Sequence, residues 1–120
     1  MNLVDLLQQA LAIKGVTSVS VVSGDGAIVE GVSNNNMDLG FVGGLIASSL
    51  ASSQVLAGLL GEGEVSQTMI EYANGPVLLT PLNPEEGYVA VVTLESTQIL
   101  GRARFQLRKI LPDIAQAVAV

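Results

Sequence analysis

The side chains that usually perform enzyme chemistry are scarce in this sequence. Histidine and cysteine are both absent, which excludes Ser-His and Cys-His nucleophilic pairs and thiolate metal sites. A nucleophilic serine would have only Lys14 or Lys109 to serve as its lysine base. The serines of the central stretch are more simply explained as small helix-packing residues. The sequence therefore predicts no catalytic residue and a protein that is not an enzyme.

Metal ions and nucleotides also lack a recognisable site. The carboxylates at 62, 64, 85 and 86 lie in predicted turns, where solvated charge is the simplest interpretation. No phosphate-binding loop of the form G-x-x-x-x-G-K-[ST] occurs. Gly24 and Gly26 flank Asp25 and are better explained as hairpin glycines. We therefore expect no metal and no cofactor.

Four of the five cations lie close together near the end of the chain: Arg102, Arg104, Arg108 and Lys109. Arginines on an exposed helix are candidate arginine fingers, which stabilise the charge on a transferred phosphoryl group. The simpler interpretation is a solvated helix face that the C-terminal helix dipole stabilises.

The composition limits the possible environments and partners. The 120 residues are 49% hydrophobic but only 3% aromatic, which predicts one domain, residues 1–120, with an aliphatic core. A net charge of −6 argues against nucleic acid and anionic membranes as partners, because both select for basic patches. The first residues lack the basic segment of a signal peptide, so we expect a cytoplasmic protein.

The element that must organise these residues is the uncharged stretch from Leu39 to Gly61. Asp38 before it is a favourable N-cap and Gly61 a favourable C′ residue, so the stretch predicts a helix of about six turns. Projected at about 100° per residue, this helix has two apolar stripes. The first consists of Leu39, Val42, Ile46, Leu50, Ala57 and Leu60. The second consists of Phe41, Leu45, Val55, Leu56 and Leu59, with Ser48 and Ser52 among them.

A second apolar stripe requires a second partner, and three interpretations compete. A membrane span is suggested by length, since about 20 uncharged residues suffice, but central serines and acidic flanks oppose it. A fully enclosed helix would need more surrounding elements than a chain of 120 residues usually supplies. We favour a helix that packs on its own sheet and on another chain. Small residues between the stripes allow a further partner backbone to approach: Gly44, Ala47 and Ala51.

Around this helix the sequence predicts the order α-β-β-α-β-β-β-α, a small α+β sandwich. The predicted helices and strands besides the long helix are Asn2–Lys14, Val16–Ser23, Ala27–Val32, Val65–Tyr72, Pro76–Leu82, Tyr88–Leu94 and a last helix capped by Ser96 or Thr97. Tyr88–Leu94 is nearly all apolar, as in a central strand, whereas Val65–Tyr72 has mixed faces, as in an edge strand or one facing a partner.

Three local expectations follow from single residues. Ile28 and Val32 should lie on one face of the second strand, given a period of two. Pro81 should end the ladder pairing of its strand, because it has no N–H to donate. Pro112 should kink the last helix or restart it.

Several segments in this order resemble the roadblock/dynein light-chain family, which includes the bacterial MglB proteins. The resemblance depends on an opening helix that runs into Lys14-Gly15-Val16 and on the small-residue central helix. It also depends on three motifs, Ser23-Gly24-Asp25-Gly26, Asn74-Gly75-Pro76-Val77-Leu78-Leu79 and Leu100-Gly101-Arg102-Ala103-Arg104.

The resemblance implies a profilin-like roadblock fold with a five-stranded antiparallel sheet of strand order 2-1-5-4-3. The long helix should lie on one face of the sheet and the two terminal helices on the other. It also implies a homodimer in which long helices pair and third strands join edge to edge. The interface predicted on this basis consists of Phe41, Leu45, Ser48, Ser52, Val55, Leu56, Leu59, Val65, Gln67 and Met69.

For function, the resemblance implies a non-catalytic regulator or scaffold of a Ras-like small GTPase. MglB proteins accelerate GTP hydrolysis by such GTPases, so a role as a GTPase activator is included. Two alternatives stay open. One is a PAS-like sensor domain that binds a small molecule in its aliphatic core, and the other is a purely structural scaffold subunit.

Overall fold

The structure, a computed structural model, describes residues 2–34, 43–83 and 85–119. Its elements follow the predicted order. They are α1 (Leu3–Leu11), β1 (Val16–Val22), β2 (Ile28–Ser33), α2 (Gly43–Leu60), β3 (Thr68–Tyr72), β4 (Gly75–Asn83), β5 (Tyr88–Leu94) and α3 (Leu100–Ala119). A short 3-10 turn, Thr97–Ile99, precedes α3.

The five strands form one antiparallel sheet in the order β2-β1-β5-β4-β3. The strand order implied by the resemblance is therefore confirmed. The strand β5 lies at the centre, as its apolar sequence predicts, and its side chains serve both faces. Val89 and Val91 contribute to one core, whereas Ala90 and Val92 contribute to the other.

The two faces of the sheet bury very different amounts of side chain. On one face, α1 and α3 cover the larger core, to which Leu7, Leu78 and Leu107 contribute fully buried side chains. On the other face, the described residues of α2 add Ile46 and Leu50 to the smaller core. The aliphatic side chains predicted from the composition therefore fill a two-sided core, and among the described residues the side covered by α1 and α3 is the larger.

The first helix begins as the sequence predicts and ends earlier. The Asn2 side chain caps it by accepting a hydrogen bond of 2.9 Å from the backbone N–H of Asp5. The helix ends at Leu11 rather than Lys14. The chain then turns through Gly15, whose φ of +88° is unfavourable for residues with a side chain.

The expectation that Ile28 and Val32 share a face of β2 is wrong. Ile28 and Val32 lie on opposite faces, because the β1–β2 register shifts at Val22: Val22 pairs with Ile28 and belongs to the smaller core, whereas Val19 pairs with Val32 and belongs to the larger. Each side chain follows the face of its partner, so the shift breaks the alternation assumed for β2.

The expectation for Pro81 is also wrong. Pro81 remains in the ladder opposite Val89, and the β4–β5 register shifts only between Pro81 and Asn83. The helix α3 continues through Pro112 and does not restart there, whereas a kink at Pro112 stays a prediction. Pro112 is exposed while Leu111 and Ile114 are buried, so packing on both sides of the proline maintains the helix.

Candidate protein-protein interface

The helix α2 contacts its own sheet through one narrow line of residues. Ile46 is 8% exposed and Leu50 is 7% exposed, and both pack in the smaller core with Val22, Leu79 and Val91. A spacing of four residues places them on the same side of the helix. The predicted sheet-facing direction is confirmed at these two residues, whereas Leu39 and Val42 of the same predicted stripe lie outside the described residues.

The opposite side of α2 is open to solvent. Leu45 is 72% exposed and Leu59 is 79% exposed, and Val55 and Leu56 are also more than half exposed. Ser48 and Ser52 lie between them and are exposed as well. We name this surface the α2 outer face; it consists of Leu45, Ser48, Ser52, Val55, Leu56 and Leu59. Phe41, predicted on the same surface, lies outside the described residues.

The second half of α2 is less covered than the sequence predicts. Leu60 was expected on the sheet-facing stripe, yet it is 64% exposed. A surface groove of about 360 Å³ separates this half of the helix from the segment 62–68, and Leu56, Ala57, Leu60 and Val65 contribute its apolar walls. Among the described residues of α2, those buried against the sheet are Ile46 and Leu50, so the last turn of the helix projects beyond the smaller core.

The small residues predicted as a further partner surface are only partly accessible. Ala51 is exposed and Ala47 is half-buried. The surroundings of Gly44 lie outside the part of the chain that is described. Gly58, on the same helix, has no described atom beyond the neighbouring backbone of α2 within 4 Å of the position that a Cβ would take, so there is space beside it.

The strand β3 provides an edge at one end of the sheet. In the described residues it pairs with β4 alone, and its Met69 is 44% exposed. Met69 lies opposite Leu78, which belongs to the larger core, so its side chain is on the sheet face away from α2. The predicted interface residues of α2 and β3 therefore do not form one continuous surface at Met69.

Val65 and Gln67 do not lie in β3, because the strand begins at Thr68 rather than Val65. Val65 packs against the smaller core, and Gln67 Nε2 donates a hydrogen bond of 3.0 Å to Thr80 Oγ1. Both residues are half-buried and turned toward this chain. Their predicted place in an interface stays a prediction.

A polar line on β1 was not anticipated from the sequence. Ser18 and Ser20 are each 1% exposed, on the sheet face that α2 covers. The Ser18 hydroxyl lies 2.5 Å from Thr93 Oγ1, and Thr17 Oγ1 lies 2.6 Å from the same oxygen. Ser20 Oγ is buried without a hydrogen-bond partner among the described residues. The alternation of serine and valine in 18–22 was the available signal.

The cations of α3 lie on the face of the sheet opposite α2, as the resemblance implies. Arg102, Arg108 and Lys109 are exposed and Arg104 is half-buried. The expected stabilisation by a C-terminal dipole is wrong. Because α3 runs from Leu100 to Ala119, Arg102 and Arg104 lie near its positive N-terminal end.

The cavities seen along the described residues open at the surface and do not reach the core in which a sensor ligand was considered. Three surface cavities of about 680, 290 and 360 Å³ are lined by described residues, and no buried core residue contributes to any of them. Within the described ranges there is also no group of three or more carboxylates placed to hold a metal ion. No described helix is long and apolar enough to cross a bilayer.

An antiparallel sheet of this order, with a long helix presenting an apolar outer face, defines a small α+β domain of the roadblock type. The chain belongs to the Roadblock/LC7 domain family, whose model matches residues 3–94. No curated protein sequence matches the chain.

Solved structures with the same fold extend over nearly the whole chain. Myxococcus xanthus MglB superposes with a TM-score of 0.86 at 20% identity, over 98% of this chain and 94% of that one. An MglB with a tetrameric arrangement superposes with a TM-score of 0.83 at 18% identity, over 96% of this chain and 86% of that one. A Roadblock/LC7 domain from Streptomyces avermitilis gives 0.80 at 14% identity, over the full length of both chains. At these identities the likeness establishes the fold.

Proposed function

We propose that this protein is a homodimeric, non-catalytic regulator or scaffold that binds a Ras-like small GTPase. The observation that carries the proposal is the α2 outer face, an apolar surface that its own chain leaves uncovered on a roadblock fold. Burial of a large aliphatic side chain contributes about 1.5–3 kcal/mol. Leu45, Val55, Leu56 and Leu59 together are a strong driving force for association.

The second copy of the chain covers the α2 outer face in this proposal. Two copies of α2 pair across a two-fold axis, so that each face contacts the same face of the partner. The two β3 edges lie side by side and hydrogen-bond as one extended sheet, which also protects an edge that is open to aggregation. The tetrameric arrangement of one MglB neighbour supports self-association of this fold.

The GTPase is the partner that the MglB likeness supports. We expect it to dock on the dimer beside the small residues Ala47 and Ala51. The arginines of α3 lie on the other face of the sheet, so they are poorly placed to act as fingers. Stimulation of GTP hydrolysis would then come from repositioning of the GTPase's own catalytic residues. In this proposal the protein acts in the cytoplasm.

The test is a binding and hydrolysis assay with the Ras-like GTPases of the source organism. Each is loaded with GDP or a non-hydrolysable GTP analogue and passed over the immobilised protein, and single-turnover GTP hydrolysis is then measured with and without the protein. Nucleotide-dependent retention of one GTPase is expected. Retention of none in either state would leave the dimer without this partner and would favour a purely structural subunit.

The absence of an arginine finger is tested in the same assay. Replacement of Arg102, Arg104 or Arg108 by alanine should leave stimulated hydrolysis within about tenfold of the wild type. Loss of more than about a hundredfold from one replacement, with GTPase binding intact, would identify that residue as a finger.

A further inference from the structure

All five lysines and arginines of the chain gather at one end of the face formed by α1 and α3. Arg102, Arg104, Arg108 and Lys109 lie in the first half of α3. Lys14 is exposed and immediately precedes Gly15, which contacts Ile99 just before α3. We name this group, together with Phe105, the basic patch.

The patch reverses the charge of the chain locally. The helix α3 carries four cations and one carboxylate, a formal charge of +3, whereas the remaining residues carry −9 of the total of −6. The net charge of −6 for the whole sequence does not show that the positive residues are concentrated in one region. A partner that approaches α3 therefore meets a positive surface on an acidic protein.

The position of these cations on α3 lowers the stability of the chain when no partner is bound. Arg102 and Arg104 lie near the N-terminal end of α3, where the positive end of the helix dipole repels them. Among the described residues neither arginine forms an ion pair. Helix N-termini favour acidic residues, and a departure from this preference that nothing in the chain compensates is typical of a functional surface.

An exposed aromatic residue lies among the charges. Phe105 is 61% exposed, and the Nζ of Lys109 lies 4.5 Å from the centre of its ring. An aromatic ring bordered by arginines is the composition that dominates binding energy at protein interfaces. The patch therefore combines a site for an apolar side chain with several donors for carboxylates.

We infer that the basic patch docks an acidic segment of another protein, with carboxylates on its arginines and one apolar side chain on Phe105. The distance between Arg102 and Lys109 along the helix axis is about 10 Å, which suits a short segment. Glu95 and Asp113 are exposed at either end of the patch, and a broad anionic membrane would be repelled by both. Planar guanidinium groups suit carboxylates, which they contact through two hydrogen bonds.

This second surface goes beyond the proposed GTPase regulation. It lies on the sheet face opposite α2, so an acidic segment on α3 and a partner on α2 occupy separate surfaces. The protein would then connect two partners at once.

Fluorescence anisotropy with a synthetic peptide tests the inference. The probe is a fluorescein-labelled twelve-residue peptide with eight Asp or Glu residues and two leucines, and its counterpart has Gln and Asn in place of the acids. The wild-type protein should bind the acidic peptide only, and raising NaCl from about 50 to 300 mM should weaken binding more than tenfold.

The variants separate the patch from overall charge. Arg102→Gln with Arg108→Gln should weaken binding about tenfold or more, and Phe105→Ala about threefold or more, whereas Arg102→Lys with Arg108→Lys should retain most of it. The control, Gln54→Glu with Ser66→Glu, changes the net charge by the same amount at exposed positions beside α2, on the other side of the sheet, and should stay within twofold. Circular dichroism checks that each variant folds. The peptide comparison and the salt series are done with the wild-type protein, so they test the inference even if a variant does not fold.

Three results would overturn the inference. One is equal binding by the double glutamine variant and its charge-matched control. Another is binding to vesicles of phosphatidylglycerol and phosphatidylcholine without binding to the peptide, which would identify a membrane as the partner. The third is loss of self-association in the arginine variants, which would identify a second copy of this chain as the acidic partner.

Discussion

Gly15 lies directly against Ile99, and the two residues join the end of α1 to the start of α3. A Cβ on Gly15 would lie 1.6 Å from Cδ1 of Ile99, and the φ of Gly15 is +88°. The Gly15 carbonyl also accepts a hydrogen bond of 2.9 Å from the backbone N–H of Glu95. The turn therefore has no space for a side chain and little freedom to move away.

We expect Gly15→Ala to lower the free energy of unfolding by about 1–3 kcal/mol, through backbone strain and displacement of Ile99. The control is Gly101→Ala, because Gly101 lies inside α3 with nothing within 4 Å of a Cβ. That change should be neutral or stabilising by up to about 1 kcal/mol, since alanine is the better helix former. Urea unfolding of both variants measures the difference, and equal stability of the two would contradict it.

The self-association attributed to the α2 outer face is tested by placing a charge in it. Leu56→Glu should convert the dimer to monomer or aggregate, because a carboxylate cannot be buried there without a partner. Gln54→Glu introduces the same charge at an exposed position of the same helix outside this face and should leave the dimer intact. Light scattering after size-exclusion chromatography measures the mass. An unchanged dimer for both Leu56→Glu and Leu45→Glu would place the interface elsewhere.

Alanine substitutions at the two buried hydroxyls of β1 should change the free energy of unfolding in opposite directions. Ser20→Ala removes an oxygen that is buried without a partner among the described residues, so we expect stabilisation by about 1 kcal/mol. Ser18→Ala removes a hydroxyl 2.5 Å from Thr93 Oγ1 and should cost about 1 kcal/mol. Thermal and urea unfolding report both values. A loss of stability in Ser20→Ala as large as that in Ser18→Ala would indicate that Ser20 Oγ has a partner.

The hairpin between β1 and β2 predicts a dependence on pH. The Ser23 hydroxyl and the Ala27 backbone N–H donate to the Asp25 carboxylate and lower the pKa of Asp25 below 3.8. A lowered folded-state pKa stabilises the fold above the unfolded value, and this contribution is lost as the pH falls through the folded value. In urea unfolding, Asp25→Asn should therefore have a lower free energy of unfolding than the wild type at about pH 6. This difference should diminish toward about pH 3. A deficit that is constant across this range would contradict the assignment.

Much of the fold follows from short-range signals in the sequence. Asn2 is a good N-cap and caps α1, and the apolar run Tyr88–Leu94 forms the central strand with the predicted bounds. The order of helices and strands is also as predicted, because each element has a clear period and turn residues at its ends. What failed depends on pairing between strands. The register shift opposite Val22 and the late start of β3 have no marker in local sequence.

The candidate site shows the same division. The two-stripe pattern predicts which α2 residues leave the sheet, and the exposure of Leu45, Val55, Leu56 and Leu59 agrees with it. The pattern placed Leu60 on the sheet, where it does not lie, because helical phase gives the direction of a side chain but not the extent of the surface beneath it. The partner chain on this face stays a prediction.

The sequence by itself determined the element order, the aliphatic core, the lack of His and Cys chemistry and the two-sided character of α2. These properties depend on residue type and periodicity, which act over a few residues. Only the tertiary structure decided that Lys14 lies near the start of α3, where the other four cations are, and that Met69 faces away from α2. Such relationships depend on strand register and on the packing of distant segments, and neither can be inferred from a short stretch of sequence.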